Sequence, residues 1–382
     1  MTTFDLILVG YGNVARRFES LLAEQRPALA RIVGIATRRH GCGYGRQAAS
    51  GFPPAVASHS REGRRGQAEA QSTKAGSRTV GPPEGGRDRN SDTLSFLRDA
   101  LKRSAAAAKR RRLVVVETTT LDIDDGEPAT SHIRAALAGG AHVITANKGP
   151  VAFAYRALAR AAERADRRFL FEGTVMDGVP IFNLVRETLP ALTILGFRGV
   201  VNSTTNFILT AMEQGQRFEE ALAEMQARGI AAAAPSLDVD GWDAAAKTAA
   251  LANVLLGANI TPRDVDRQGI GPATGPLARE AHAAGRRLKL VARAERDGRR
   301  IIARVSPEQL RGDDLLAGLQ GAQNALILKT DVLEEIAIVQ RGGSLTQTAY
   351  ALLSDLISIE RSLSPAPATR RAPRAARRRR TP

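Results

Sequence analysis

The stretch from Asp5 to Gln25, DLILVGYGNVARRFESLLAEQ, leaves the beginning of the chain few alternatives. A short apolar run with β-favouring Ile and Val ends at Gly10, and a helical pattern follows Gly10-Tyr11-Gly12-Asn13-Val14-Ala15. Strand, glycine turn and helix together are the setting in which G-x-G-x-x-A holds a dinucleotide. Gly10 permits the tight turn, Gly12 lets the backbone approach a pyrophosphate at the helix N-terminus, and Ala15 takes the small third position. Gly10, Gly12, Asn13 and Val14 are the expected cofactor contacts; a purely structural βα turn is the other reading. The next strand, RIVGIAT, ends at Arg38-Arg39, with no acid for a ribose 2′-hydroxyl. That favours the 2′-phosphate of NADP over NAD, unless both arginines simply face solvent.

Strands and helices then alternate. LVVVE carries Glu117 and Thr118-Thr119-Thr120 at its carboxyl end, and HVITA leads into Asn147-Lys148-Gly149-Pro150. Ligands of an open parallel sheet sit beyond the carboxyl ends of its strands, which places Glu117, Thr118, Asn147 and Lys148 near chemistry. The helix AFAYRALARAAERA and the strand RFLFE precede Glu172 to Pro180, and the strand TILGFRGVV precedes Asn202-Ser203-Thr204-Thr205-Asn206. That loop, ahead of a helix expected over FILTAMEQG, offers hydroxyls and amides to an anionic group, or only helix caps. Residues 299–307, 325–330 and 335–339 read as further strands, and TAYALLSDLISI as a last core helix.

In Pro235 to Lys247, PSLDVDGWDAAAK, Pro235 and Gly241 punctuate a loop with Asp238 and Asp240, and Asp243 opens a helix. Lys247, four residues on, shares its face. A carboxylate beside an ammonium can hold a proton donor where an oxyanion forms; an exposed pair of this kind contributes only a few tenths of a kcal/mol.

A net charge of +16 raises the question of nucleic acid, and its distribution answers it. Residues 41–90 carry eight Lys/Arg against four Asp/Glu, residues 98–112 seven against one, and residues 364–382 seven Arg with no acid. The remainder is close to neutral, and with 4% aromatic residues there is little to stack on bases, so nucleic acid is not the expected partner. Residues 41–92 mix Gly, Arg, Ser and Pro without a period and are expected to form a disordered insertion. Cys42 is the only cysteine, which excludes an internal disulfide and fits a reducing compartment. No run of about 18 apolar residues occurs, and Asp5 stands where an export signal would be basic, so a cytoplasmic protein is expected.

Six motifs in order, the glycine loop, TANKGP, EGTVMDGVP, GVVNSTTNFIL, PSLDVDGWDAAAK and GGSLTQTAYALLSDL, resemble those of homoserine dehydrogenases. The resemblance runs over residues 4 to about 40 and about 93 to 361. It implies an α/β fold with a Rossmann-type doubly wound parallel sheet and a second α+β catalytic and dimerisation domain. The divisions expected are 1–150 for nucleotide binding, 151–312 for catalysis and dimerisation, 313–363 returning to the first domain, and a basic tail over 364–382. The resemblance implies interconversion of L-homoserine and L-aspartate 4-semialdehyde with NADP or NAD, by a homodimer without a C-terminal regulatory domain. It makes Lys148, Asp243 and Lys247 catalytic, places Thr204, Asp238 and Lys247 at the substrate, and puts Gly343 near the nicotinamide. It assigns a monovalent cation such as Na+ to Glu172 with Val175 and Asp177. Two neighbouring ammoniums, Lys148 and Lys247, are expected to lower each other's pKa, with Asp243 tempering the effect. The chain departs from the family's G-x-A-E-x-D-P pattern by carrying Ala232 and Ala234 where acids stand, the first of which pairs with the substrate ammonium. A catalytically silent or impaired dinucleotide-binding homologue is the alternative these alanines raise.

Overall fold

The structure, a computed structural model, describes residues 4–38, 41–44, 89–106, 112–227 and 235–363. The short apolar runs become a six-stranded sheet: β1 (Phe4–Val9), β2 (Ala30–Thr37), β3 (Gly41–Tyr44), β4 (Leu113–Glu117), β5 (His142–Thr145) and β6 (Phe169–Leu170). Between them run α1 (Asn13–Gln25), α2 (Arg89–Ala106), α3 (Ala129–Ala138) and α4 (Lys148–Ala165). The order is β3-β2-β1-β4-β5-β6, parallel except for β3. Helices cover both faces, which is why β1 and β4 read as continuous apolar runs. Val9, Glu117 and Thr145 end adjacent strands in one row, and strand order reverses between β1 and β4, where such sheets open a ligand crevice.

The expectation of irregular structure over 41–92 is corrected at both ends. Gly41–Tyr44 adds a strand to the edge of β2, and α2 begins at Arg89. Edge pairing uses backbone groups and leaves no side-chain period to read; Tyr44 is fixed by Phe96 of α2, ring centroids 4.7 Å apart. Residues 45–88, Arg39, Ala232, Ala234 and the tail from Ser364 lie outside the described residues.

After α5 (Phe182–Thr188) comes a second sheet of β7 (Ile194–Val200), β8 (Asp266–Arg267), β9 (Arg286–Asp297), β10 (Arg300–Arg311), β11 (Asn324–Thr330) and β12 (Glu335–Gln340). Its order is β12-β11-β7-β9-β10-β8, antiparallel except where β8 joins β10. Against it lie α6 (Ser203–Glu213), α7 (Phe218–Ala227), the short α8 (Ser236–Val239), α9 (Trp242–Leu255) and α10 (Thr274–Ala283). Neither α7, α10 nor β9 is evident in the sequence. In β9, RRLKLVARAERD, seven charged residues of twelve mask the buried Leu288, Leu290, Ala292 and Ala294. Among the described residues no helix is long and apolar enough to cross a membrane.

The last helix, α11 (Leu345–Leu363), returns to the first sheet and packs Leu352, Leu353, Leu356 and Ile359 with Phe18, Leu21 and Leu22 of α1. Its Asp355 is fully buried and accepts from the Glu172 backbone N–H at 2.9 Å and from Asn183 Nδ2 at 3.1 Å. Burial, with the Glu172 carboxylate nearby, pushes Asp355 up to about 7. An acid raised in this way stabilises the fold most below its unfolded pKa, about 4, and that contribution is lost as pH rises through about 7. Raising the pH from about 5 to about 8 should therefore cost roughly 2–4 kcal/mol through this group. Denaturant unfolding across that range should show the loss in the unmodified chain and a flattened slope in Asp355→Asn.

Candidate active site

The expected site residues gather in two clusters. The first surrounds the glycine turn. Gly10 has φ +85°, and a Cβ there would stand 2.8 Å from the Thr118 carbonyl, so only glycine fits. Thr118 fastens the turn: its N–H donates to Val9 O at 2.8 Å and its hydroxyl to Gly10 O at 3.0 Å. Gly12 precedes α1 without a side-chain cap, and nothing lies within 4 Å of where its Cβ would stand. The first-turn N–H groups of α1 therefore have no side-chain cap from Gly12, and the backbone there is not crowded by a neighbour. Arg38 is exposed at the end of β2.

The second cluster draws on four helices, α4, α6, α8 and α9. Asn147 caps α4 by accepting from the Gly149 N–H at 2.9 Å, so Lys148 starts the helix. Asp243 lies in the first turn of α9, Lys247 one turn further. The Asp243 carboxylate bridges the two lysines, Oδ1 to Lys148 Nζ at 3.0 Å and Oδ2 to Lys247 Nζ at 2.8 Å. These side chains are 13–20% exposed, so the pair predicted four residues apart is a partly buried triad and not a surface bridge. Lys247 also donates to Val201 O at 2.7 Å. Asn202, the cap of α6, splits its amide between Asp238 at 2.8 Å and Asp243 at 2.9 Å, and the Thr204 hydroxyl donates to Asp238 at 3.3 Å.

The triad sets its own protonation. Burial pushes Asp243 up, but the Lys148 and Lys247 ammoniums and its hydrogen bonds outweigh that and hold it well below the usual carboxylate range. For Lys247, burial pulls the ammonium down, yet Asp243, with Asp177 and Asp238 adding to it, leaves it above its ordinary value. For Lys247 this corrects the expected lowering: the carboxylate in contact, with two more nearby, outweighs burial. Asp238 is raised by burial and by the Asp243 charge. The result is an ionised carboxylate orienting two ammoniums, beside an acid that binds its proton more readily.

Other expected residues fall differently. Gly343 packs directly against the Asp177 carboxylate, which accepts from Gln340 Nε2 at 3.0 Å and from the Thr348 hydroxyl at 3.0 Å. Glu172 is buried and accepts from the backbone N–H groups of Ile181, Phe182 and Asn183, so its carboxylate serves as a cap for α5. A cation beside Val175 and Asp177 would rest chiefly on backbone oxygens. The loop expected over Asn202–Asn206 is the first turn of α6, because Asn202 accepts from the Thr205 N–H at 2.8 Å. Asn202 as the bridge between two acids was not predicted; its only trace in the sequence is a capping residue before Ser-Thr-Thr.

A homoserine dehydrogenase family model matches residues 180–357. An NAD(+)-dependent homoserine dehydrogenase of Pseudomonas canavaninivorans is 42% identical over 240 residues, covering 62% of this chain and 68% of that protein. A homoserine dehydrogenase of Sulfurisphaera tokodaii is 34% identical over 359 residues, 93% of this chain and 98% of that protein. The chain belongs to the homoserine dehydrogenase family. Among solved structures, the homoserine dehydrogenase of Thiobacillus denitrificans superposes with a TM-score of 0.71 at 26% identity, over 94% of this chain and 73% of that one. The expectation drawn from six motifs therefore holds for the family and for its α/β fold.

Asn202→Ala removes a helix cap and two hydrogen bonds to carboxylates at once. It should destabilise the protein by about 2–4 kcal/mol, read by denaturant unfolding.

Proposed function

We propose that the chain oxidises L-homoserine to L-aspartate 4-semialdehyde and catalyses the reverse reduction, in the threonine and methionine branch of amino-acid biosynthesis. Family membership supports the reaction, and the Lys148–Asp243–Lys247 triad is the observation that carries it. A bound nicotinamide dinucleotide supplies the hydride acceptor or donor. The cradle at Gly10, Gly12, Asn13, Val14 and Thr118 is its proposed seat, with Gly343 toward the nicotinamide. NADP is the proposed preference, with Arg38 and Arg39 for the 2′-phosphate; NAD also fits this cradle, and the Pseudomonas relative is named for NAD(+).

Asp238 and Thr204 would hold the substrate, and Lys247 and Lys148 would face the oxygen that changes charge. In reduction, a protonated Lys247 donates to the oxygen as the carbonyl becomes an alcohol, and Asp243 keeps the ammonium aimed. In oxidation, the amine must first lose that proton, and its raised pKa makes the oxidation rate climb with alkaline pH. A monovalent cation has no part in these steps. The first domain is proposed to take in β6, which joins its sheet beyond residue 150, and the second to take in β11 and β12, so that of 313–363 only α11 returns to the first sheet. The assembly is proposed to be a cytoplasmic homodimer, which the exposed Leu195, Ile302 and Val339 of the second sheet favour.

Homoserine-dependent reduction of NADP and of NAD by the purified protein tests the reading, and absence of turnover while cofactor still binds would sink it. Lys247→Met and Asp243→Asn should each lower kcat roughly 10²–10⁴-fold with cofactor Kd changed only a few-fold. The alkaline limb of oxidation should disappear with Lys247→Met.

A further inference from the structure

Glu117 has no exposed surface and takes no part in the chemistry above. It ends β4 beside Val9 and Thr145, at the reversal of strand order. Its Oε1 accepts from the Thr119 backbone N–H at 2.9 Å and from the Thr119 hydroxyl; its Oε2 accepts from the Thr145 hydroxyl at 2.8 Å. Each hydroxyl then accepts in turn from Asn147. Thr145 Oγ1 takes the Asn147 backbone N–H at 2.9 Å, and Thr119 Oγ1 takes Asn147 Nδ2 at 3.4 Å. Asn147 Nδ2 also reaches Thr120 O at 3.3 Å, and its Oδ1 receives the Gly149 N–H at 2.9 Å. Lys148 lies between these last two residues.

A carboxylate only accepts hydrogen bonds, so it orients both threonine hydroxyls toward itself and leaves their lone pairs for Asn147. A neutral amide at this position would offer a donor to one of them and reverse its direction. Burial pushes the Glu117 carboxyl up to about 7 while its three donors favour the ionised form, so the acceptor-only arrangement belongs to the ionised group above that pH.

We propose that Glu117 is a positioning residue that fastens the turn after β4 to the turn after β5 and so sets the backbone from which Lys148 reaches Asp243. The inference rests on the proposed activity for its kinetic consequence, and on geometry alone for its structural one.

Full-length Glu117→Gln and Thr145→Val, both close in volume to the originals, test it by two routes. In the first, kcat should fall roughly 10-fold or more while KM for homoserine and cofactor Kd stay within about threefold, because a small misplacement of a catalytic group acts on the chemical step. In the second, lysines are acylated with acetic anhydride and quantified by peptide mass spectrometry. Lys148 should gain reactivity several-fold in both variants while Lys247, fixed by α9, keeps its rate. Unchanged Lys148 labelling would overturn the proposal, and so would equal rises at Lys148 and Lys247 accompanied by a lower Tm, which mark general loosening. Should the unmodified protein oxidise no homoserine, the activity reading fails, and the labelling still decides the role of Glu117.

Discussion

The Asp243 carboxylate between two ammoniums depends on how closely α4 and α9 approach. Ala244, Ala245, Ala246, Ala249, Ala250 and Ala252 of α9 are buried, and small side chains let the helix axes draw together. Asn253 locks the pair by donating to Val151 O at 3.3 Å, Ala152 O at 3.2 Å and Ile260 O at 2.9 Å. Only at that separation can Lys148, from the first sheet's side, and Lys247, from the second, share one carboxylate. A triad of this kind is a poor source of stability, since desolvation offsets much of its attraction. Its proposed value lies in fixing two ammoniums where a charge can develop.

The first sheet supplies the other half of the arrangement. Because Val9, Glu117 and Thr145 end in one row, the turns after β1, β4 and β5 open on the same side. The glycine turn is pinned from below by Thr118, and α1 is held from behind by α11 through an apolar seam. A buried acid pairing with Glu172 and Asn183 anchors α11 in turn. The last segment of the chain thus stabilises the helix that starts at the glycine turn.

Much of this was legible in the sequence where one physical rule dominates. The glycine turn has a steric requirement that few other arrangements meet, and strands buried on both faces announce themselves as apolar runs. Asp243 and Lys247 were paired by helical spacing alone. The misses have equally particular causes. Charged residues obscured the period of β9, β3 pairs through backbone with no period at all, and the helix at Ser203 starts early because of one capping asparagine. The pKa expectation for Lys247 failed because it gave Asp243 only a tempering part, without the 2.8 Å contact or the further charges of Asp177 and Asp238.

By itself, the sequence determined most of the elements and the chemical types at the site, because these follow from local spacing and conformational preference, and its six motifs carried the family. Tertiary structure alone decided that Lys148 touches the same carboxylate as Lys247, that Asn202 bridges two acids, and that Glu117 accepts from both Thr119 after β4 and Thr145 at the end of β5. Those facts rest on approaches between residues 28 to 95 positions apart, as the separations of Glu117 from Thr145 and of Lys148 from Asp243 illustrate. No local rule reports such distances; they are set by the packing of α9 on α4 and by strand register.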